Sequence, residues 1–309
     1  MIKKGIVYCS TGSHYRIKSE GQFYDCRIKG KFRIKGIKST NPVAVGDKVA
    51  FEIKDEEEKN EGVITEIEAR QNYIIRKSVN LSKQIHIIAS NIDQVFLMIT
   101  LNTPPTFPAF IDRFLVTAQA YHINVVLVFN KMDLYGSETL AETRILKSIY
   151  EKIGYECYEV IATDVGTLGI LQKKMIDKVS MFAGHSGVGK STLVNTLAPN
   201  LDLKTGHISE QHQQGQHTTT FAEMFDLDSN IKIIDTPGIK GFGVVDIQKD
   251  ELSGYFREFS ELKPNCKFNN CMHTQEPHCA VKSALEAGEI AQSRYKSYLQ
   301  LLEDDSLYR

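Results

Sequence analysis

The chain has 309 residues, of which 42% are hydrophobic and 24% charged, a composition that suits two or three globular domains and excludes a fibrous or disordered chain. Lys and Arg together number 37 and Asp and Glu 38, so the net charge of −1 points to no partner by itself. No apolar run approaches the ~18 residues of a membrane span, and Met1-Ile-Lys-Lys-Gly-Ile lacks a signal-peptide pattern, so a cytoplasmic location is expected, with the six cysteines as thiols or metal ligands rather than disulfides.

Residues 1–70 read as all-β. Gly5–Ser10, His14–Lys18, Phe23–Ile28, Lys48–Ile53 and Val63–Ala69 are short runs rich in Val, Ile, Phe and Tyr. Turn signals at Thr11-Gly12, Glu20-Gly21, Gly30 and Gly46-Asp47 separate them. Five short strands in this length predict a small barrel of the OB type. Residues 1–40 hold ten Lys or Arg and two acids, a local positive excess that suits a nucleic-acid backbone. The acidic run Asp55–Asn60 reads as a hairpin tip.

Residues 71–245 alternate strands and helices. Val95–Leu101, Val125–Phe129, Lys178–Ala183 and Ile231–Asp235 are near-continuous apolar runs, as in a parallel sheet buried on both faces; Ile111–Tyr121 and Leu140–Ile153 carry helical spacing. A doubly wound α/β domain is expected. Gly184-His185-Ser186-Gly187-Val188-Gly189-Lys190-Ser191 matches G-x-x-x-x-G-K-[ST], between a strand and the helix start Ser191-Thr192-Leu193. In such a loop backbone N–H groups converge on phosphates, Lys190 brings positive charge to the β- and γ-phosphates, and Ser191 offers a hydroxyl to Mg²⁺. Asn130-Lys131-Met132-Asp133 follows a strand; a carboxylate at Asp133 can accept from the ring N–H and exocyclic amine of guanine, a donor pair adenine lacks. Asp235-Thr236-Pro237-Gly238 ends another strand, with Asp235 placed to hold Mg²⁺ and the Gly238 N–H to sense the γ-phosphate. Between them lies Gly215-Gln-His-Thr-Thr-Thr220, in which Thr220 is expected to complete the Mg²⁺ shell, preceded by a polar stretch, 203–216, expected to be mobile without γ-phosphate.

The base-reading motif precedes the phosphate loop, the reverse of the ordinary GTPase order, so the domain reads as circularly permuted. Two consequences are expected of this order. The 235–238 switch runs directly into the tail, and the barrel enters from the opposite end of the domain. Ile239 stands where many GTPases carry a water-orienting glutamine; His217 is the internal candidate for that catalytic task, the alternative being a group supplied by a partner. Ile161 stands where a serine usually supports the guanine carbonyl, leaving the backbone N–H of Ala162 to do so.

Residues 246–309 read as helical, over Asp246–Phe259 and Val281–Leu302, around a cysteine-rich insertion. Cys266-x4-Cys271-x-His273-x5-Cys279 offers three thiolates and an imidazole, a donor set for one structural tetrahedral Zn²⁺, with His278 as a competing ligand that would crowd Cys279.

With N-K-x-D, G-x-S-G-V-G-K-S, G-x-H-T-T-T and D-T-P-G in that order, the chain resembles the ribosome small-subunit-dependent GTPase A family over nearly its whole length. The resemblance implies an OB-like barrel, a permuted GTPase domain and a zinc-binding helical tail, with His273 rather than His278 as ligand. It implies GTP hydrolysis on the small ribosomal subunit late in its maturation, with rRNA as partner. The alternatives are a permuted GTPase of the large subunit, disfavoured by the front barrel and Cys3His tail, and an RNA-binding module in which hydrolysis is incidental. With no dimerisation signal in the sequence, a monomer is expected.

Overall fold

The structure, a computed structural model, describes residues 2–28, 42–53, 60–77, 85–199, 222–228, 230–235 and 247–304. The expected sites His217, Thr220, Gly238 and Ile239 lie outside them.

The first five strands are β1 (Ile2–Ser10), β2 (Tyr15–Ser19), β3 (Gln22–Ile28), β4 (Lys48–Ile53) and β5 (Glu61–Ile67). Strand β1 pairs with both β2 and β4, and the ring closes in the order β1-β2-β3-β5-β4, with β3–β5 its parallel pair. This is the five-stranded closed barrel of OB type that the strand spacing predicts. Alternate residues point inward, so that Val7, Ile17, Tyr24, Phe51 and Ile64 fill its core. Glu20 and Gly21 both take positive φ, 50° and 82°, the two-residue turn whose twist matches that of a hairpin.

The barrel is fastened to the rest of the chain through a polar knot. Asp47, fully buried, accepts from the Ala44 N–H (2.8 Å), the Ser90 hydroxyl (2.6 Å) and the Arg70 guanidinium (2.6 Å). Gly46 has φ +92°, and a Cβ there would strike the Ser90 carbonyl, so only glycine fits. Asp47→Ala would leave the Arg70 guanidinium, itself nearly buried, without its carboxylate and with only the Pro42 carbonyl (2.8 Å) to donate to. A loss of about 3–5 kcal/mol is expected, read as a lower urea midpoint.

A hairpin that no sequence pattern announced follows: β6 (Tyr73–Lys77) and β7 (Ile85–Ser90) form their own two-stranded sheet. Then come β8 (Gln94–Ile99), α1 (Pro108–Ala120), β9 (Asn124–Phe129), α2 (Ser137–Lys152), β10 (Glu156–Glu159), α3 (Val165–Met175), β11 (Lys178–Ala183), α4 (Lys190–Leu197), β12 (Glu223–Asp228) and β13 (Ile231–Asp235). They make a sheet in the order β10-β9-β8-β11-β13-β12, parallel except for β12. Strand β8 is buried throughout and splits its residues by parity. Val95, Leu97 and Ile99 pack with Ile111, Phe114 and Leu115 of α1; Phe96 and Met98 pack with Leu168 and Leu171 of α3 and Leu193 of α4. Apolar residues are therefore required on both faces from Val95 to Ile99, and this is why these strands read as near-continuous runs.

The barrel joins this sheet at one edge. Strand β1 continues the sheet at β12, with Cys9 opposite Glu223. Tyr8 donates to Asp226 Oδ1 (2.7 Å), Lys18 pairs with the same carboxylate, and Arg16 lies 3.6 Å from Glu223. The barrel thus rests on the strand that lies, in sequence, between the two expected switch segments.

The tail contains α5 (Arg257–Leu262), α6 (Ala280–Glu286) and α7 (Gln292–Glu303), with 3-10 turns at Leu252–Tyr255 and Lys263–Asn265. The expected helix over 281–302 is two helices. Gly288, at φ +74°, ends the first, and the N–H groups of Gly288 and Glu289 cap it on the carbonyls of Leu285 (3.1 Å) and Ala284 (2.9 Å). The expected helix over 246–259 is likewise reduced to the Leu252–Tyr255 turn and the start of α5 among the described residues. Tail and sheet are clamped by a buried ion triad. Arg294 donates to both carboxylate oxygens of Glu258 (2.7 and 3.0 Å) and to Asp112 Oδ1 (2.7 Å), which also accepts from the Tyr150 hydroxyl (2.8 Å). The tail therefore does not hang from the 235–238 segment alone. It is gripped by α1 and α2 as well.

Candidate nucleotide site and metal cluster

The phosphate loop, the base-reading motif and Asp235 lie at the carboxyl ends of the parallel strands β11, β9 and β13 of one sheet, the edge where sheets of this kind bind ligands. The loop's path depends on glycine. Gly184 (φ +139°), Gly187 (+83°) and Gly189 (+99°) each take conformations that side chains rarely adopt. A Cβ on Gly184 would approach the Met98 carbonyl at 2.7 Å, and one on Gly189 would strike the Asn130 amide. Val188 is fully buried and anchors the loop in the core, while Ser186 and Gly187 are exposed at its tip. Lys190, Ser191 and Thr192 form the first turn of α4.

Asn130, buried to 1% exposure, joins the two motifs. Its Nδ2 donates to the Val188 carbonyl (2.8 Å), and its Oδ1 accepts from the Ala162 N–H (2.9 Å). One side chain thus ties together three loops that are far apart in sequence. The Ala162 N–H, expected to face a guanine carbonyl, is engaged with Asn130 instead. Lys131 sits at φ +65°, ψ +33°, and Asp133 is exposed in the 3-10 turn Met132–Leu134 that follows it.

The Lys190 ammonium donates to the carbonyls of Gly184 (2.8 Å) and His185 (2.7 Å). Burial lowers its pKa to about 8, partly offset by the nearby Asp235 carboxylate. A cation held in a desolvated loop is poised for an anion, which would restore its affinity for the proton.

Three contacts of this site had no signal in the sequence. The Lys131 ammonium donates to the Thr103 carbonyl (2.5 Å), Pro104 would meet a Cβ on Gly187 at 3.3 Å, and Phe110 packs on the His185 ring with centroids 3.8 Å apart. Residues 103–110, which precede both motifs, therefore wall the loop.

In the tail, Cys266, Cys271, His273 and Cys279 are all buried, and their ligand atoms lie within 4.8 Å of one another. His273 Nδ1 is 3.7 Å from Cys266 Sγ and 3.3 Å from Cys279 Sγ. Metal–sulfur and metal–nitrogen bonds of ~2.3 and ~2.1 Å at a tetrahedral angle give an edge of about 3.6 Å, so these separations suit one metal ion. His278 is exposed and outside the cluster. The loop carrying His273 is held by its neighbours: Tyr298 donates to the Met272 carbonyl (2.6 Å) and Tyr295 to that of His273 (2.7 Å). Glu276 gathers the N–H groups of Met272 (2.7 Å) and Thr274 (2.8 Å). The other cysteines, Cys26 and Cys157, are buried singly, and Cys9 is half-buried.

A phosphate-loop strand central in the sheet but late in the chain, with the base-reading strand before it, defines a circularly permuted GTPase. The family model described as RsgA GTPase matches residues 67–245, and that described as RsgA N-terminal domain matches residues 4–64. The chain belongs to the RsgA GTPase family. It is 63% identical over 303 residues to the small ribosomal subunit biogenesis GTPase RsgA of Christiangramia forsetii, covering 98% of this chain and 96% of that one. The RsgA of Flavobacterium johnsoniae is 62% identical over 302 residues, covering 97% and 93%. Among solved structures, YjeQ from Thermotoga maritima superposes with a TM-score of 0.78 at 33% identity over 98% of each chain. YloQ, described as a circularly permuted GTPase, does so at 0.76 and 30% identity, covering 98% of this chain and 94% of that one. The protein is a GTP-hydrolysing enzyme, and among the described residues no helix is long and apolar enough to cross a membrane.

Proposed function

We propose that this GTPase acts on the small ribosomal subunit, binding its rRNA and hydrolysing GTP to GDP and phosphate late in subunit maturation, as a cytoplasmic monomer. The observation that carries the reading is the Asn130 bridge, which brings a guanine-reading motif against a phosphate loop despite the reversed chain order. The names of the relatives at 63% and 62% identity supply the partner. In this reading residues 1–70 bind RNA, 71–245 bind and hydrolyse GTP, and 246–309 form a zinc-stapled tail.

Asp133 reads the base, and Asn130 and Lys131 hold the turn that presents it. The N–H groups of residues 184–192 and the Lys190 ammonium hold the phosphates. Ser191, Thr220 and Asp235 hold Mg²⁺, which when bound neutralises charge on the β- and γ-phosphate oxygens. Gly238 senses the γ-phosphate. His217 or an RNA group orients the attacking water, because Ile239 cannot. Cys266, Cys271, His273 and Cys279 hold one structural Zn²⁺, since four protein donors fill a tetrahedral shell and leave no open position for catalysis.

Charge supports the RNA partner, though from a narrower segment than the count over residues 1–40 suggests. Lys3, Lys4, Arg16 and Lys18 are each paired with a carboxylate, those of Glu20, Glu68, Glu223 and Asp226. The other six Lys or Arg of this stretch fall in residues 27–38, a run of sequence that holds no acid. Replacing Arg33 and Lys35 with glutamate is expected to weaken co-sedimentation with purified small subunits and to flatten its salt dependence, since fewer counterions are released. Unchanged sedimentation at every salt concentration contradicts the rRNA-docking role of this segment.

A further inference from the structure

Lys131 is in the left-handed region, at φ +65° and ψ +33°, a conformation a lysine adopts only when its surroundings hold it there. That turn sets where Asp133 points, two residues on. One of its tethers is the lysine's own side chain, anchored on the Thr103 carbonyl. The other comes from Tyr135, which no motif singles out. Its hydroxyl donates to the Asn130 carbonyl (3.0 Å) and accepts from the Leu101 N–H (2.8 Å). Tyr135 is buried, and the Asn130 N–H is in turn fixed on the Ile99 carbonyl (2.8 Å). The phenol therefore spans the ends of β8 and β9 and satisfies two backbone groups at the edge of the core.

We propose that Tyr135 is a positioning residue for base recognition: its hydroxyl pins the Asn130–Lys131 turn to the end of β8 and so aims the Asp133 carboxylate at the two donors of guanine. The inference rests on the reading of Asp133 as the base contact. Without the hydroxyl, the Asn130 carbonyl and Leu101 N–H both lose their partner, and the turn has less to hold it in its left-handed form. A carboxylate that wanders loses its paired grip first. Guanine offers the ring N–H and the exocyclic amine, whereas hypoxanthine offers the ring N–H alone. The preference for GDP over inosine diphosphate thus measures how well Asp133 is aimed.

The test is calorimetric titration of the full chain with GDP, inosine diphosphate and xanthosine diphosphate. Tyr135→Phe is expected to weaken GDP about tenfold and inosine diphosphate much less, so the ratio of the two affinities shrinks. A merely structural role would weaken both alike or lower only the melting temperature; an unchanged ratio overturns the proposal. Asp133→Asn, in the otherwise unaltered chain, tests the underlying reading separately. An amide there should lose GDP and gain xanthosine diphosphate, whose 2-carbonyl accepts where guanine donates. If that switch occurs and the Tyr135→Phe ratio does not move, the positioning role alone fails. If Asp133→Asn changes neither affinity, the base contact fails and the proposal with it. A measurement on the unmutated protein covers a variant that does not fold: GDP should slow amide exchange at Leu101 beyond the effect of tripolyphosphate, and equal exchange with the two ligands overturns the role.

Discussion

Lys190→Ala is expected to abolish multiple-turnover GTP hydrolysis, with a loss of at least the 10²–10³-fold typical of removing one preorganised donor. The lysine donates to the Gly184 and His185 carbonyls, which hold its ammonium inside the loop. Its charge is held at the cost of desolvation, which brings its pKa down to about 8. A bound polyphosphate raises that value, so nucleotide binding and protonation of Lys190 assist each other. The contribution of Lys190 to affinity is therefore complete below about pH 8, falls as the pH rises above that value, and is lost as the pH passes the higher value of the nucleotide-bound lysine. Titrations of GDP from pH 7 to 9 in buffers of different ionisation enthalpy should reveal proton uptake that grows above pH 8. Full turnover of the alanine variant at saturating GTP and Mg²⁺ would remove Lys190 from the mechanism.

The second large effect is expected at Cys271. Cys271→Ser removes one of four donors from a cluster that is itself part of the tail's core, where Cys266, Cys271 and Cys279 pack with Phe256, Phe259 and Tyr298. Structural zinc contributes about 10–16 kcal/mol of apparent binding energy in small domains, so losing the ion should loosen the tail as a unit. New proteolytic cuts after about Pro264 are expected, together with less than one equivalent of zinc by elemental analysis. GDP binding should persist, because the nucleotide site is built on the sheet. A full equivalent of zinc in the variant would remove Cys271 from the ligand set, and less than half an equivalent in freshly prepared unmutated protein would count against the site altogether.

What the sequence makes legible follows from how local each feature is. The phosphate loop and the Cys3His segment are contiguous, and their chemistry depends on spacing along a short stretch. Strands such as β8 and β9 are readable because burial on both faces demands five consecutive apolar residues in each, 95–99 and 125–129. The β6–β7 hairpin lacks that signature, being a separate pair outside the main sheet. The break between α6 and α7 depends on Gly288, an ordinary helix-tolerated glycine until its positive φ is seen. Least legible are the long-range polar contacts. The Arg294–Asp112 bond spans 182 positions, and the Lys18–Asp226 pair spans 208. None of these four residues lies in a motif, because the partner of a charge is specified only by what folding brings to it. Asn130 was readable as part of a guanine motif, but its bond to the Val188 carbonyl was not. That bond restores across the permutation the neighbourhood that chain order had broken.

The central claim, a GTPase completed by the small ribosomal subunit, is tested most directly by multiple-turnover GTP hydrolysis. It should be measured with no addition, with purified small subunits and with purified large subunits, at low salt. Slow hydrolysis by the protein alone is expected, since Ile239 cannot orient water. Stimulation by small subunits is expected, large subunits should have little effect, and the stimulation should fall steeply as salt is raised. Small subunits that fail to stimulate at low salt, or large subunits that stimulate as strongly, would contradict the account.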